Sequence, residues 1–148
     1  MTFTTRPELL GTFGMVASTH WLASQAAMAT LEEGGNAFDA VIAGGLVLHV
    51  VEPHLNGLGG DMALIAYDAR QHEPLVVCGQ GVAPQAATAA AFAELGLQQI
   101  PGSGLLAAVV PGTFGAWMRL LAEYGTLPFA DLAKYAIDYA EHGYPLVA

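Results

Sequence analysis

The chain has 148 residues, is 54% hydrophobic and only 11% charged, and carries a net charge of −9. Its four cations, Arg6, Arg70, Arg119 and Lys134, are scattered, which excludes the basic footprint of a nucleic-acid binder and the polybasic cluster of an anionic-lipid binder. A single cysteine, Cys78, excludes an intrachain disulfide, and the low charge, against about 25% in ordinary soluble domains, implies that more protein covers part of the surface.

Residues 1–13 are expected to be an exposed lead-in, and 14–148 an incomplete α+β domain. The N-terminus has no basic stretch ahead of an apolar core, so no signal peptide is predicted. Gly14 to Ser18 fits a short strand, and Ser18 or Thr19 can cap a helix that Gly34–Gly35 ends. Asn36 is the next cap, with Asp39 in the first turn, where a carboxylate favours the positive helix end. The run Ala37–Val51 is apolar nearly all round, which marks a buried helix. It is shorter than the ~20 residues that span a bilayer. A soluble, cytoplasmic protein is therefore expected. Two apolar runs, Met62–Tyr67 and Leu75–Gly79, predict a β-hairpin. Thr88 can cap a short helix to about Leu95. Leu105–Val110 fits a strand. Thr113 can cap a helix over 114–124, and Pro128 opens a last helix that Gly143 closes. Trp21, Trp117, Tyr124, Phe129, Tyr135 and Tyr139 are expected to be core or helix-packing residues. The chain stops straight after that helix, at Pro145–Ala148, which predicts that the native polypeptide continues.

The densest punctuation is VEPHLNGLGGD, residues 51–61. Glycine at this density marks sharp turns or close backbone approach, so Asn56, Gly57, Gly59, Gly60 and Asp61 are candidates for a pocket wall or structural loop. A phosphate loop does not fit. The segment runs helix to strand, phosphate fingerprints run strand to helix, and Asp61 would repel the anion. His49, Glu52 and His54 match no metal-ligand spacing, and neither a metal nor a cofactor is expected. Cys78, at a strand end with no cation beside it, reads as a packed thiol. No Gly-x-Ser-x-Gly elbow is present. The chain shows no complete catalytic constellation of its own.

Five motifs in order resemble the γ-glutamyltransferase family of N-terminal-nucleophile hydrolases: GMVAS at 14–18, EGGNAFDAVIA at 33–43, VVEPHLNGLGGD at 50–61, VPGTFGAW at 110–117 and YGTLPFADL at 124–132. The resemblance implies an αββα sandwich and a proenzyme that cuts itself into a large and a small subunit. The nucleophile would be the new N-terminal Thr of the small subunit. It would form an acyl-enzyme from a γ-glutamyl or related small amide, as in glutathione metabolism, with its own α-amine as base. The chain would then be the N-terminal part of the large subunit. Its partners would be the rest of that subunit, the small catalytic subunit and a small-molecule amide, with no catalytic residue inside the chain. The alternatives are a non-catalytic remnant or binding module, and an acylase or small-amide hydrolase of the same family.

One departure matters. Where the family places an Arg a few residues before Ala-Pro, here Ala83–Pro84, this chain has Gln80, and Gly81 stands where Glu is frequent. A neutral amide cannot neutralise a carboxylate as a guanidinium does. Gln80 is therefore the expected substrate-binding residue of an altered acyl pocket; the alternatives are a one-residue shift of the alignment and an Arg supplied from outside this chain. No arginine of the chain is an obvious substitute, since Arg70 falls in the hairpin turn.

Overall fold

The computed structural model describes residues 7–146; residues 1–6 of the expected lead-in lie outside them. Its elements are α1 (Trp21–Glu32), α2 (Ala37–Val51), β1 (Ala63–Asp68), β2 (Glu73–Cys78), α3 (Ala89–Glu94), α4 (Thr113–Tyr124) and α5 (Phe129–His142), with one 3-10 turn at Leu105–Ala107. The chain forms two compact units. The first joins the residues up to Val51 to those from Thr126 onward, and the second is Glu52–Gly125.

In the first unit, α2 packs against both α1 and α5. Small residues let the helices approach closely. A side chain added at Gly44 would stand 3.2 Å from the Ala23 carbonyl oxygen and from Ala27 Cβ. Ile42, Ala43 and Val47 of α2, Leu22 and Ala23 of α1, and Leu132 of α5 are buried. Complete burial of Ile42 or Leu132 contributes about 1.5–3 kcal/mol each. The apolar run 37–51 is thus a buried helix, as its composition predicts, although Val41 stays 41% exposed.

The helix ends are closed by local bonds. At the end of α1, Gly34 takes φ +97. Its N–H donates to the Leu31 carbonyl, and that of Gly35 donates to Thr30, the paired bonds of a glycine C-cap. Asn36 then caps α2: its Oδ1 accepts from the N–H groups of Phe38 and Asp39, while Asp39 Oδ2 accepts from the Asn36 N–H at 2.9 Å. The start of α1 differs from expectation. The cap is His20, whose Nδ1 accepts from the Leu22 N–H at 3.2 Å. Ser18 instead turns its hydroxyl to the His20 carbonyl and to Ser24. Trp21, expected to pack in the core or between helices, is 54% exposed. Residues 14–18 form no strand, because among the described residues the only ladder is β1 with β2.

Asp39 is fully buried yet well served. Beyond Asn36, it accepts from the Thr126 hydroxyl at 2.6 Å, the Thr126 N–H at 2.9 Å and the Leu127 N–H at 3.3 Å. Burial pushes its carboxyl up, but these donors outweigh burial and hold it below its ordinary 3.8. The carboxylate thereby ties the first turn of α2 to the loop that leads into α5. Glu33 adds a surface tie to α5 through Lys134 and the Tyr135 hydroxyl, and the Lys134 ammonium holds the Glu33 carboxyl below its usual range.

In the second unit, β1 and β2 form the predicted antiparallel hairpin, with Ala63 opposite Cys78 and Asp68 opposite Glu73. Its turn is shaped by Asp68 Oδ1, which accepts from the Arg70 N–H, and by His72 at φ 57. Side chains alternate across the ribbon. Leu64, Ala66, Leu75 and Val77 are half-buried on one face; Ile65, Tyr67, Val76 and Cys78 are exposed on the other. Thr88 caps α3 as predicted, its hydroxyl accepting from the Ala91 N–H. Two expectations fail. The run 105–110 is not a strand: 105–107 closes as a 3-10 turn after Gly104 at φ +85, and only Val110 reaches another segment, donating to the Val82 carbonyl at 3.0 Å. Thr113 is the first residue of α4 rather than its cap; Gly112 occupies the cap, and the buried Thr113 hydroxyl makes no hydrogen bond.

Candidate functional site

The GLGG segment folds as a tight turn, with the Gly60 N–H donating to the Gly57 carbonyl at 3.0 Å. Asn56 anchors it from the N-terminal side: its backbone N–H and its side-chain amide both reach the Glu52 carbonyl. The Gly60 carbonyl then accepts from the N–H groups of Gly112 at 3.1 Å and Thr113 at 3.2 Å. Those two donors belong to the opening of α4, so the turn supplies by backbone what no side chain caps there. Gly57 and Gly59 face open space, and Asp61 is exposed.

The closest backbone approaches lie at the second glycine corner. Met62 and Gly79 exchange a pair of backbone bonds at the open end of the hairpin, at 3.2 and 2.6 Å. A Cβ on Gly79 would meet Ala116 Cβ at 2.7 Å. One on Gly81 would stand 1.5 Å from the Val110 oxygen, and one on Gly112 would stand 2.3 Å from the Gly79 oxygen. Three backbone segments thus touch at 60–62, 79–82 and 110–113. The sequence motif with the most glycines forms one wall of this junction, but its tightest points are Gly81 and Gly112. Their signal in the sequence is Gly-x-Gly at 79–81 and Pro-Gly at 111–112, patterns that mark chain corners without saying what approaches them.

Gln80 projects from this junction and is exposed. Its Oε1 lies 3.9 Å from Cys78 Sγ. Cys78 is not the packed thiol that the sequence suggested; its place in the strand alternation puts it on the exposed face of β2. Gln80 and Cys78 line a cavity of about 570 Å³ along β2 and α4, together with Gly112, Arg119, Glu123 and Tyr124. That volume suits a small molecule. Arg119 Nε donates to Glu123 Oε1 at 2.9 Å, one helical turn on. Sequence spacing does not place Arg119 and Gln80 on one cavity; they come to share it through the packing of α4 on β2. A second, apolar cavity of about 280 Å³ lies between α3 and the 105–108 segment. Among the described residues no group of three His, Cys, Asp or Glu side chains is placed to hold a metal ion. Nor is any helix among them long and apolar enough to cross a membrane.

Among the described residues, helices and one antiparallel hairpin make a mixed helix-and-strand chain, and its 52–125 unit closes at a junction of three glycine corners. The chain belongs to the gamma-glutamyltranspeptidase family, whose family model matches residues 23–148. It is similar to the glutathione hydrolase-like YwrD proenzyme of Bacillus subtilis (strain 168), with 40% identity over 142 residues, 95% of this chain and 27% of that protein. It is 39% identical over 145 residues to the oxamate amidohydrolase proenzyme of Klebsiella pneumoniae subsp. pneumoniae, 94% of this chain and 27% of that protein. Among solved structures it resembles that of LmbA2991HD, with a TM-score of 0.90 and 62% identity over 99% of this chain and 25% of the other. The chain therefore spans about a quarter of the length of the curated relatives that it matches.

Proposed function

We propose that this chain is the N-terminal part of the large subunit of a γ-glutamyltransferase-like amidohydrolase or acyltransferase. The observation that carries this reading is the family match over residues 23–148. In the complete protein, an N-terminal Thr released by self-cleavage attacks the amide carbonyl. Its α-amine takes the hydroxyl proton, backbone N–H groups hold the oxyanion, and the amine leaves. Water or an acceptor amine then resolves the acyl-enzyme, which gives hydrolysis or transfer. The hairpin β1–β2 becomes part of the αββα sandwich. The exposure of Ile65, Tyr67 and Val76 on one face of a two-stranded ribbon supports that role, since a ribbon alone is marginally stable and needs covering.

The acyl specificity of this enzyme differs from γ-glutamyl readers that grip a carboxylate through an Arg before Ala-Pro. Gln80 holds that position here, and Gly81 beside it is locked as glycine by the Val110 carbonyl. A relative named for oxamate, an amide without an α-amino group, supports a family in which the acyl part varies. The test is to express the complete reading frame that contains this chain. The protein should separate into two chains on a denaturing gel, and the smaller should begin with Thr and become acylated by a small amide. A reading frame that encloses no such Thr, or a product that never splits and never acylates, overturns the reading. Within that enzyme, Gln80→Arg should raise kcat/KM for γ-glutamyl-p-nitroanilide about tenfold or more, the scale of one charge-assisted pair. An unchanged value would remove position 80 from acyl recognition.

A further inference from the structure

The chain has two asparagines, Asn36 and Asn56, in opposite settings. Asn36 caps α2: its Oδ1 accepts from the N–H groups of Phe38 and Asp39, and its own N–H donates to Asp39 Oδ2. The residue after it, Ala37, is fixed as the first of that helix. Asn56 stands where one turn ends and the next begins. The Leu55 and Asn56 N–H groups close the first turn on the Glu52 carbonyl, and the Gly60 N–H closes the second on the Gly57 carbonyl. The joint between them, Asn56–Gly57, belongs to no helix or strand and is half-buried. Among the described residues the Gly57 N–H donates to no backbone carbonyl, and a side chain added at Gly57 would meet nothing within 4 Å. A glycine directly after an asparagine has no Cβ to crowd the asparagine side chain, and its backbone turns freely. Its nitrogen can therefore reach the side-chain amide carbon. The Asn56 side chain is tied to the Glu52 carbonyl through Nδ2 at 3.2 Å, a single neutral bond for which water competes.

We propose that Asn56–Gly57 is a self-modifying joint, at which Asn56 deamidates through a succinimide. The Gly57 nitrogen gives up its proton to solvent base and attacks Asn56 Cγ. A Cγ–N bond forms, the Cγ–Nδ2 bond breaks, and the Nδ2 group takes a proton from solvent and leaves as ammonia. Water then opens the ring at either carbonyl carbon. The product at position 56 is an aspartyl residue, or an isoaspartyl residue whose backbone carries one extra carbon. Both products replace an amide that donates to the Glu52 carbonyl by a carboxylate that repels it. The isoaspartyl form also lengthens the chain directly before the Gly57–Gly60 turn. The Gly60 carbonyl accepts from the N–H groups of Gly112 and Thr113 at the opening of α4, so the change is passed to the start of that helix. This chemistry is independent of the proposed amidohydrolase activity.

The test incubates the complete folded protein in mildly alkaline buffer and maps its peptides by mass spectrometry, with labelling by isoaspartyl methyltransferase as a second readout. Asn56 should convert, with isoaspartyl among the products, while Asn36 in the same molecules stays intact. Gly57→Ala should slow the conversion about tenfold, since the added Cβ restricts the attacking backbone. Amide hydrogen exchange at Gly112 and Thr113 should be faster in converted protein than in fresh protein. An Asn56 that stays intact in the folded protein overturns the proposal; its conversion only after unfolding in urea would show that the two turns protect it. Equal conversion of Asn36 and Asn56 also overturns it, because the folded setting would then play no part. Unchanged exchange at Gly112 and Thr113 overturns the link to α4. The comparison of the two asparagines uses wild type alone, so a variant that fails to fold does not decide the outcome. None of these readouts needs turnover or self-cleavage, which separates this inference from the amidohydrolase reading.

Discussion

Asp39→Asn is the most informative single perturbation of the first unit. The carboxylate has no exposure and receives four donor groups on two oxygens. Oδ1 takes the N–H groups of Thr126 and Leu127, and Oδ2 takes the Asn36 N–H and the Thr126 hydroxyl. Asparagine keeps the shape but turns one oxygen into an NH2 donor. Facing Leu127, the NH2 leaves that N–H orphaned. Facing Asn36, it leaves the Asn36 N–H orphaned, while the Thr126 hydroxyl can rotate to accept. Either way at least one buried N–H loses its partner, which costs about 1–3 kcal/mol, and the surviving bonds lose their charge assistance. The expected destabilisation is about 2–4 kcal/mol in urea unfolding of the complete enzyme. Amide hydrogen exchange locates it: Thr126 and Leu127 should lose protection well before the hairpin residues. The pH dependence has a definite sign. The folded-state carboxyl lies below its ordinary 3.8, so the stabilisation is fully present above that value and is lost as pH falls through the folded-state pKa. Wild type should therefore weaken below about pH 4, and Asp39→Asn should lack this part of the acid limb. A loss under about 0.5 kcal/mol, or an unchanged acid limb in the variant, would refute the assignment of Asp39 as the tie between α2 and α5.

Two further substitutions test the close backbone approaches. Gly81→Ala places a methyl group 1.5 Å from the Val110 oxygen, so the 79–82 and 110–113 segments must separate. The expected cost is about 3 kcal/mol, read as a lower urea midpoint and faster exchange of the Val110 amide, which donates to Val82; wild-type values for both would show that the corner is looser than described. Gly44→Leu overfills the α1–α2 contact, where a Cβ already stands 3.2 Å from Ala23 and Ala27, and should cost about 1–3 kcal/mol in the same unfolding assay. A neutral result would mean that the two helices do not pack through their small residues.

Local chemistry explains which parts of the fold were readable. Asn36 and Asp39 are three apart and reciprocal, so sequence spacing alone identifies the cap; Gly34–Gly35 and Gly143 stop helices for conformational reasons internal to one turn. The hairpin was legible because its strands alternate and are joined by six residues or fewer. The failures share a cause. Leu105–Val110 has strand-like composition, but Gly104 at positive φ starts a 3-10 turn, and only Val110 finds a partner. His20 displaced Ser18 and Thr19 as the α1 cap because its ring nitrogen reaches the Leu22 N–H, a bond that cap statistics for hydroxyl and Asx residues do not anticipate. In each case a competing local bond that residue-type patterns do not encode decided the outcome.

The site shows the same division more sharply. Motif order located Gln80 as a departure from its family, yet it could not say which side chains share its cavity, because the α4 residues reach it only through packing. The helix opens where backbone segments approach closely, and its Ala116 faces Gly79. Gly60 caps α4 with its carbonyl, and Gly79, Gly81 and Gly112 have no side chains to hold the segments apart. Glycine density in the sequence thus reported a backbone junction. Its consequence for function is that the residues on α4 facing β2 become part of the same cavity as Gln80. Gln80→Arg and Arg119→Gln should show non-additive effects on KM if both residues address one ligand, since side chains that share a ligand do not behave independently.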